Sequence, residues 1–202
     1  MRFKVFGFSI VAVSLLTAAI PVFSQVAPQA EEGRLPLSVG VGVSSYDVDW
    51  GHGRMLGGTF WADWYPNLHY SFLHGLGLEL EARDISLNHS STQPPNYRED
   101  TAGGGLIYSW RRHRNFHPYT KFLIDFGSMD FTLFGPNYAS NYTHDTRTVY
   151  APGGGLEYRI VKNVWARADY EYQFWPNFLG QTADPEGFTF GAAYDFGHPG
   201  RR

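Results

Sequence analysis

The chain has 202 residues, 16 Lys and Arg against 19 Asp and Glu, no cysteine and 17% aromatic residues. Without Cys it is not a disulfide scaffold, a zinc-thiolate domain, an iron–sulfur protein or a Cys-nucleophile enzyme, and its near-neutral charge argues against a nucleic-acid partner. With 23 Gly, 16 Phe, 13 Tyr and 6 Trp, it is too aromatic and too weakly charged for disorder, which leaves an ordered domain rich in strand formers.

The N-terminus reads as a targeting segment. Arg2 and Lys4 precede an apolar run from Val5 to Ile20, and Val22, Phe23 and Ser24 occupy the positions a signal peptidase reads. We therefore expect a cleaved signal peptide at 1–24, a linker at 25–36, a barrel at 37–196 and a short tail at 197–202. The apolar run is just long enough to span a bilayer, but Pro21 beside the cleavage site favours removal over retention. Removal of Arg2 and Lys4 takes the formal charge from −3 to −5. No later segment has the apolar length of a membrane helix, so membrane residence would require a barrel.

From Leu37 onward the sequence alternates with period two, the strand template. The first strand carries Leu37, Val39, Val41 and Val43 on one face. The second carries Leu56, Gly58, Phe60, Ala62 and Trp64, and the third Leu76, Leu78, Leu80 and Ala82. Ala102, Gly104, Leu106, Tyr108 and Trp110 mark the fourth, and Phe122, Ile124 and Phe126 the fifth. The sixth shows Tyr150, Pro152, Gly154, Leu156, Tyr158 and Ile160, the seventh Val164, Ala166, Ala168, Tyr170, Tyr172 and Phe174, and the eighth Phe188, Phe190, Ala192, Tyr194 and Phe196. Strands of roughly ten residues suit a tilted bilayer crossing.

The connections alternate in length. Pro66–His74, Arg111–Asn115 and Val161–Asn163 join pairs on one side, whereas His89–Asp100, Phe131–Arg147 and Trp175–Glu186 are longer and polar. The first connection, Gly51–Arg54, is short, and Pro66–His74 is long for a turn. This pattern predicts an up-and-down barrel inserted from one face. Ala102-Gly103-Gly104-Gly105-Leu106 is echoed by Pro152-Gly153-Gly154-Gly155-Leu156; neither run is followed by Lys-Ser/Thr or a helical pattern, so neither reads as a phosphate loop.

The opposite parity carries Glu79, Glu81 and Arg83, then Tyr119, Lys121 and Asp125, then Glu157 and Arg159, then Trp165, Arg167, Asp169, Glu171 and Gln173. A soluble barrel would turn this face outward. Three features point inward instead. Gly103, Gly105, Gly153, Gly155 and Gly191 share the polar face, where they make room beside Trp61, Tyr119 and Trp165 in a narrow lumen. Trp64, Tyr108, Trp110, Tyr158, Tyr172 and Phe174 lie near strand ends on the apolar face, where interfacial girdles sit. The signal segment and lack of Cys suit export.

On these residues the chain resembles the OmpA-like family of small bacterial outer-membrane β-barrels over Leu37 to Phe196. Phe188, Phe190, Ala192, Tyr194 and Phe196 look like that family's C-terminal assembly signal, although a six-residue tail follows. The resemblance implies an all-β, eight-stranded antiparallel transmembrane barrel in the cell outer membrane, with outer-membrane lipid, lipopolysaccharide and the barrel-assembly machinery as partners, residence as a monomer, and no cofactor.

A lipid-facing Arg or Lys at mid-membrane costs about 2–4 kcal/mol. Several together would exceed a typical domain stability of about 5–15 kcal/mol, so the charges face inward. We expect Glu79, Glu81, Glu157 and Glu171 to share Arg83, Lys121, Arg159 and Arg167 in a lumen ion-pair network. Eight strands leave room only for side chains, so this predicts a plug and a structural or interaction role, with a narrow diffusion channel as the alternative.

The His residues at 52, 69, 74, 89, 113, 117, 144 and 198 show no metal-ligand spacing. A lipid-modifying enzyme built on His144 and Asp145 with Ser90, Ser91 or Ser140 is a further alternative; a solvated loop dipeptide is the simpler reading. Asn141-Tyr142-Thr143 matches a glycosylation sequon that a bacterial barrel would not use. Tyr97, Phe131, Phe134, Tyr138, Tyr142 and Trp175 would either present a contact surface or continue the outer girdle.

Overall fold

A computed structural model describes residues 36–47, 53–66, 68, 70, 73–87, 97–135, 138–178 and 180–197, with only the backbone at 131–143 and 181. The expected signal segment, the linker up to residue 35 and the tail from residue 198 lie outside the described residues, as do Pro94, Pro95, Pro136 and Asn137. Among the described residues no helix is long and apolar enough to cross a membrane.

The alternating segments form β1 (Leu37–Asp47), β2 (Arg54–Trp64), β3 (Leu76–Leu87), β4 (Tyr97–Ser109), β5 (Phe116–Gly135), β6 (Tyr138–Val161), β7 (Val164–Tyr172), β8 (Trp175–Phe178), β9 (Gln181–Ala183) and β10 (Glu186–Asp195). Eight of them close into an antiparallel barrel in the order β1-β10-β7-β6-β5-β4-β3-β2, while β8 and β9 form a separate small hairpin. Closure pairs each of these eight barrel strands on both sides, the condition for β-structure in hydrocarbon.

Burial follows the sequence parity. Along β3, Glu79, Glu81 and Arg83 are buried while Leu78, Leu80 and Ala82 are exposed. Phe126 is 74% exposed and Glu79 0%. A water-soluble domain would be destabilised by that inversion, whereas hydrocarbon around the barrel makes it favourable.

The structure corrects three expectations about the connections. Phe131–Arg147 is not a loop: β5 and β6 stay paired up to Gly135 and Tyr138. The Gly135-Pro136-Asn137 run at its tip carries turn residues, so the sequence reads as a loop. β4 starts at Tyr97, not Ala102, which brings Glu99 into the lumen. Trp175–Glu186 carries the β8–β9 hairpin, shaped by left-handed backbone at Asn177 and Gly180. It folds into the barrel mouth, burying Trp175, Phe178 and Ala183 against Tyr46, Met55, Ile85, Tyr97, Met129 and Val149. Trp175 is thus neither girdle nor contact surface. Tyr97 is likewise buried, and the side chains of Phe131, Phe134, Tyr138 and Tyr142 lie outside the described residues.

The lumen is therefore layered. An apolar plug occupies the loop end, charged side chains the middle, and a smaller apolar cluster of Tyr65, Ile107 and Tyr119 lies toward the chain termini.

Candidate functional site

Strands β2, β3, β5 and β7 aim the central charges at one another across the lumen. Lys121 stands among four carboxylates, with Nζ 3.2 Å from Glu79 Oε1, 2.7 Å from Glu81 Oε2, 3.2 Å from Asp169 Oδ1 and 2.9 Å from Glu171 Oε2. Arg83 pairs with Glu81, donates from Nη1 to Glu171 Oε1 at 2.8 Å and from Nε to Thr59 Oγ1 at 3.2 Å. Its guanidinium lies 4.2 Å from the centre of the Tyr46 ring. Arg167 donates from Nη2 to Glu79 Oε2 at 2.7 Å, from Nη1 to Asp63 Oδ2 at 3.2 Å and from Nε to Tyr119 Oη at 2.6 Å. It also lies over the rings of Trp61 and Tyr119. Such shared, charge-assisted bonds are what hold buried ions against their desolvation penalty.

Neutral donors extend the cluster. Tyr119 donates to Asp169 and Tyr46 Oη to Glu171 Oε1 at 3.2 Å. Ser44 joins Thr59 and Thr189 in a hydroxyl chain on the same wall. Gln173 Nε2 donates to Glu171 Oε1 at 3.3 Å and its Oε1 accepts from Trp175 Nε1 at 2.8 Å, tying the cluster to the plug.

Glycines fit this interior around its large rings. A Cβ on Gly191 would meet Trp61 Cη2 at 2.6 Å, and one on Gly155 would meet Tyr119 Oη at 2.7 Å. Side chains at these positions would displace the groups that support Arg167.

Six of the eight residues expected in the network, Glu79, Glu81, Arg83, Lys121, Arg167 and Glu171, come together. Glu157 does not join their centre: it lies in a small pocket near the termini with Ser38, Tyr65, Arg111, His117, Trp165 and Asp195. There His117 Nδ1 is 3.9 Å from Glu157 Oε2, and the His117 and Trp165 rings stack at 4.5 Å. Arg159 is a correction. It sits beside the β6–β7 turn, partly exposed, with its guanidinium 5.9 Å from the Trp165 ring centre. Its long side chain extends from the end of the strand to the rim, where water solvates the charge more cheaply than the lumen.

The expectation missed Asp63 and Glu99. Asp63 shares the inward parity of Trp61 and is fully buried, a signal available from the sequence. Glu99 was hidden because its segment read as loop. Among the described residues, both Glu99 carboxylate oxygens and Asp125 Oδ1 are buried without a hydrogen-bond partner.

Phe188, Phe190, Tyr194 and Phe196 all face outward on or just beyond β10. His144 faces outward on the projecting ribbon, bonded through Nδ1 to Asp130 and with Nε2 3.1 Å from Thr146 Oγ1. This relay lies on open sheet, not in a cleft. Ser90, Ser91, the Ser140 side chain and those of Asn141, Tyr142 and Thr143 lie outside the described residues, as do His52, His69, His89 and His198. Among the described residues no group of three or more His, Asp or Glu is placed to hold a metal ion.

Comparison with solved structures places this geometry among known barrels. The chain is similar to Neisserial surface protein A (NspA), at 14% identity and a TM-score of 0.60 over 81% of this chain and 99% of that one. It is also similar to Ail, the attachment invasion locus protein of Yersinia pestis, at 16% identity and a TM-score of 0.57 over 80% and 99%. OprG of Pseudomonas aeruginosa, an outer membrane protein, aligns at 9% identity and a TM-score of 0.52 over 80% and 96%. No curated protein sequence matches the chain. The model of the outer membrane protein beta-barrel domain matches residues 13–196. The chain therefore belongs to the outer membrane protein beta-barrel domain family and is an eight-stranded barrel of the bacterial outer membrane.

Proposed function

We propose that this protein is a sealed, non-catalytic scaffold, with its termini in the periplasm, that holds the long loops and the β5–β6 ribbon outside the cell and supports envelope integrity. The observation that carries this reading is the filled lumen: the apolar plug beneath β8–β9 lies above an ion cluster in which Arg83, Lys121 and Arg167 are all almost wholly buried. Eight strands enclose only enough space for such side chains, and a conducting path would have to break several charge-assisted bonds at once. The likeness to NspA, described as a surface protein, and to Ail, described by attachment and invasion, is in keeping with surface display. In this reading the lipid-facing stripe is solvated by outer-membrane lipid and lipopolysaccharide. The outward aromatics from Phe188 to Phe196 serve as the signal for the assembly machinery, and the barrel works as a monomer.

Liposome swelling tests the seal. Vesicles carrying the refolded protein should take up arabinose and glycine no faster than empty vesicles. Swelling that depends on solute size would replace the scaffold with a diffusion channel.

A further inference from the structure

At the end of the barrel that carries the termini, two turns lie side by side. Arg159 N–H donates to Asn115 O at 2.9 Å, fixing the β6–β7 turn against the β4–β5 turn. Between them runs an open groove lined by Arg114, Asn115, Arg159, Ile160, Val161 and Lys162. Among the described residues that line it, three are cations and none is an acid. Arg114 and Lys162 are exposed and Arg159 is partly so, and Arg112 adds a fourth exposed cation in the same turn. Glu157 and Asp195, two acids described near this end, line a separate inner pocket, and Asp63 is buried against Arg167.

The groove is also amphiphilic. Ile160 and Val161 are 57% and 56% exposed, and Tyr158 and Phe116 continue the apolar outer face away from the rim. Tyr158 and Phe116 are paired across β5 and β6, so this apolar strip is continuous with the bilayer-facing surface. A small soluble anion would engage the cations and leave this strip unused. A molecule with an anionic head and hydrocarbon chains would use both, with its charge at the rim and its chains along Ile160 and Tyr158.

We propose that this groove binds the headgroup of an anionic phospholipid in the leaflet that faces the periplasm. Arg114, Arg159 and Lys162 hold the phosphate, while Ile160, Val161 and Tyr158 contact the acyl chains. The leaflet assignment rests on the topology proposed above; lipid binding itself does not, because it can be read in a symmetric bilayer.

The test compares spin-labelled phosphatidylglycerol with spin-labelled phosphatidylcholine as trace lipids around the refolded barrel in phosphatidylcholine bilayers. The wild-type barrel should select phosphatidylglycerol by about fivefold at low salt, and 1 M NaCl should remove most of that preference. The triple variant Arg114→Gln, Arg159→Gln, Lys162→Gln should lose it, whereas Arg54→Gln with Arg98→Gln, at the opposite end, should keep it. If the triple variant does not fold, Lys162→Gln alone, at an exposed turn position, should fold and lower the preference measurably. Equal selection of the two lipids by the wild type, or selection that survives the triple or the folded Lys162 variant, would overturn the proposal. So would abolition of the preference by millimolar inorganic phosphate, which would mark a free-anion site. Binding to isolated cell-wall sacculi that depends on these three residues, without lipid selection, would assign the groove to a different partner.

Discussion

Lys121→Met should cost the folded barrel about 3–5 kcal/mol, the range for breaking a buried ion pair by removing one partner. The change is nearly neutral in volume but removes the ammonium shared by Glu79, Glu81, Asp169 and Glu171, all within 3.2 Å of its Nζ, and leaves Arg83 and Arg167 to face the four carboxylates. Their mutual repulsion then stands in a medium that screens poorly. Urea titration of the refolded protein in lipid, followed by tryptophan fluorescence, should show a lower midpoint, with heat-dependent gel mobility reporting the folded fraction. A loss of this size is a large part of a typical domain stability of about 5–15 kcal/mol, so the single variant could fail to fold. The double variant Lys121→Met, Glu171→Gln removes one of the stranded charges and should be less destabilised than the two single changes summed. An unchanged midpoint in Lys121→Met, or strict additivity in the pair, would mean that the cluster does not hold the barrel together.

Trp175→Ala should release the β8–β9 hairpin from the mouth. The indole is fully buried, is held by Gln173 at 2.8 Å, and meets the Phe178 ring edge-on at 5.8 Å between centroids. It also occupies space left by Gly127, where a Cβ would collide with the ring. Truncating a buried Trp costs about 3–5 kcal/mol, and because among the described residues β8 and β9 form a ladder with each other and not with the barrel strands, that loss falls on the docking of the hairpin. The open population, and with it the rate of proteolytic cleavage between Pro176 and Glu186, should rise by roughly a hundredfold or more. The urea midpoint of the barrel should move less than in Lys121→Met. Unchanged protease resistance would place the Trp175 ring outside the plug.

The two variants separate the layers of the lumen that sequence reading resolved unequally. Wherever hydrocarbon lies on one side and charge on the other, period-two alternation is imposed by energetics, and Glu79, Glu81, Arg83, Lys121, Arg167 and Glu171 could be placed inward from parity alone. Arg159 has the same parity but sits at a strand end, where a flexible side chain can turn to water. Asp63 and Trp175 were legible in principle, since each continues an inward series, Trp61 to Asp63 and Glu171 through Gln173 to Trp175. Glu99 was not, because its outward neighbours Arg98 and Asp100 are polar and leave no apolar stripe to mark a strand, and the segment between β5 and β6 likewise reads as a loop. Pairing distances inside the cluster depend on register across strands far apart in the chain, such as Arg83 with Glu171, which no local pattern encodes.

The absence of cysteine allows the central claim, lipid outside and a dry charge cluster inside, to be tested with single introduced labels. Phe122 is 47% exposed on the outer face, and Thr189 is 4% exposed on the lumen wall beside Ser44. Nitroxides at Phe122→Cys and Thr189→Cys should be read in the bilayer by collision with oxygen and with a water-soluble nickel chelate. The account predicts strong relaxation by oxygen and none by nickel at residue 122, with little relaxation by either agent at residue 189. Nickel access at residue 189 would mean a water-filled pore, and nickel access at residue 122 would mean that the apolar stripe does not face lipid.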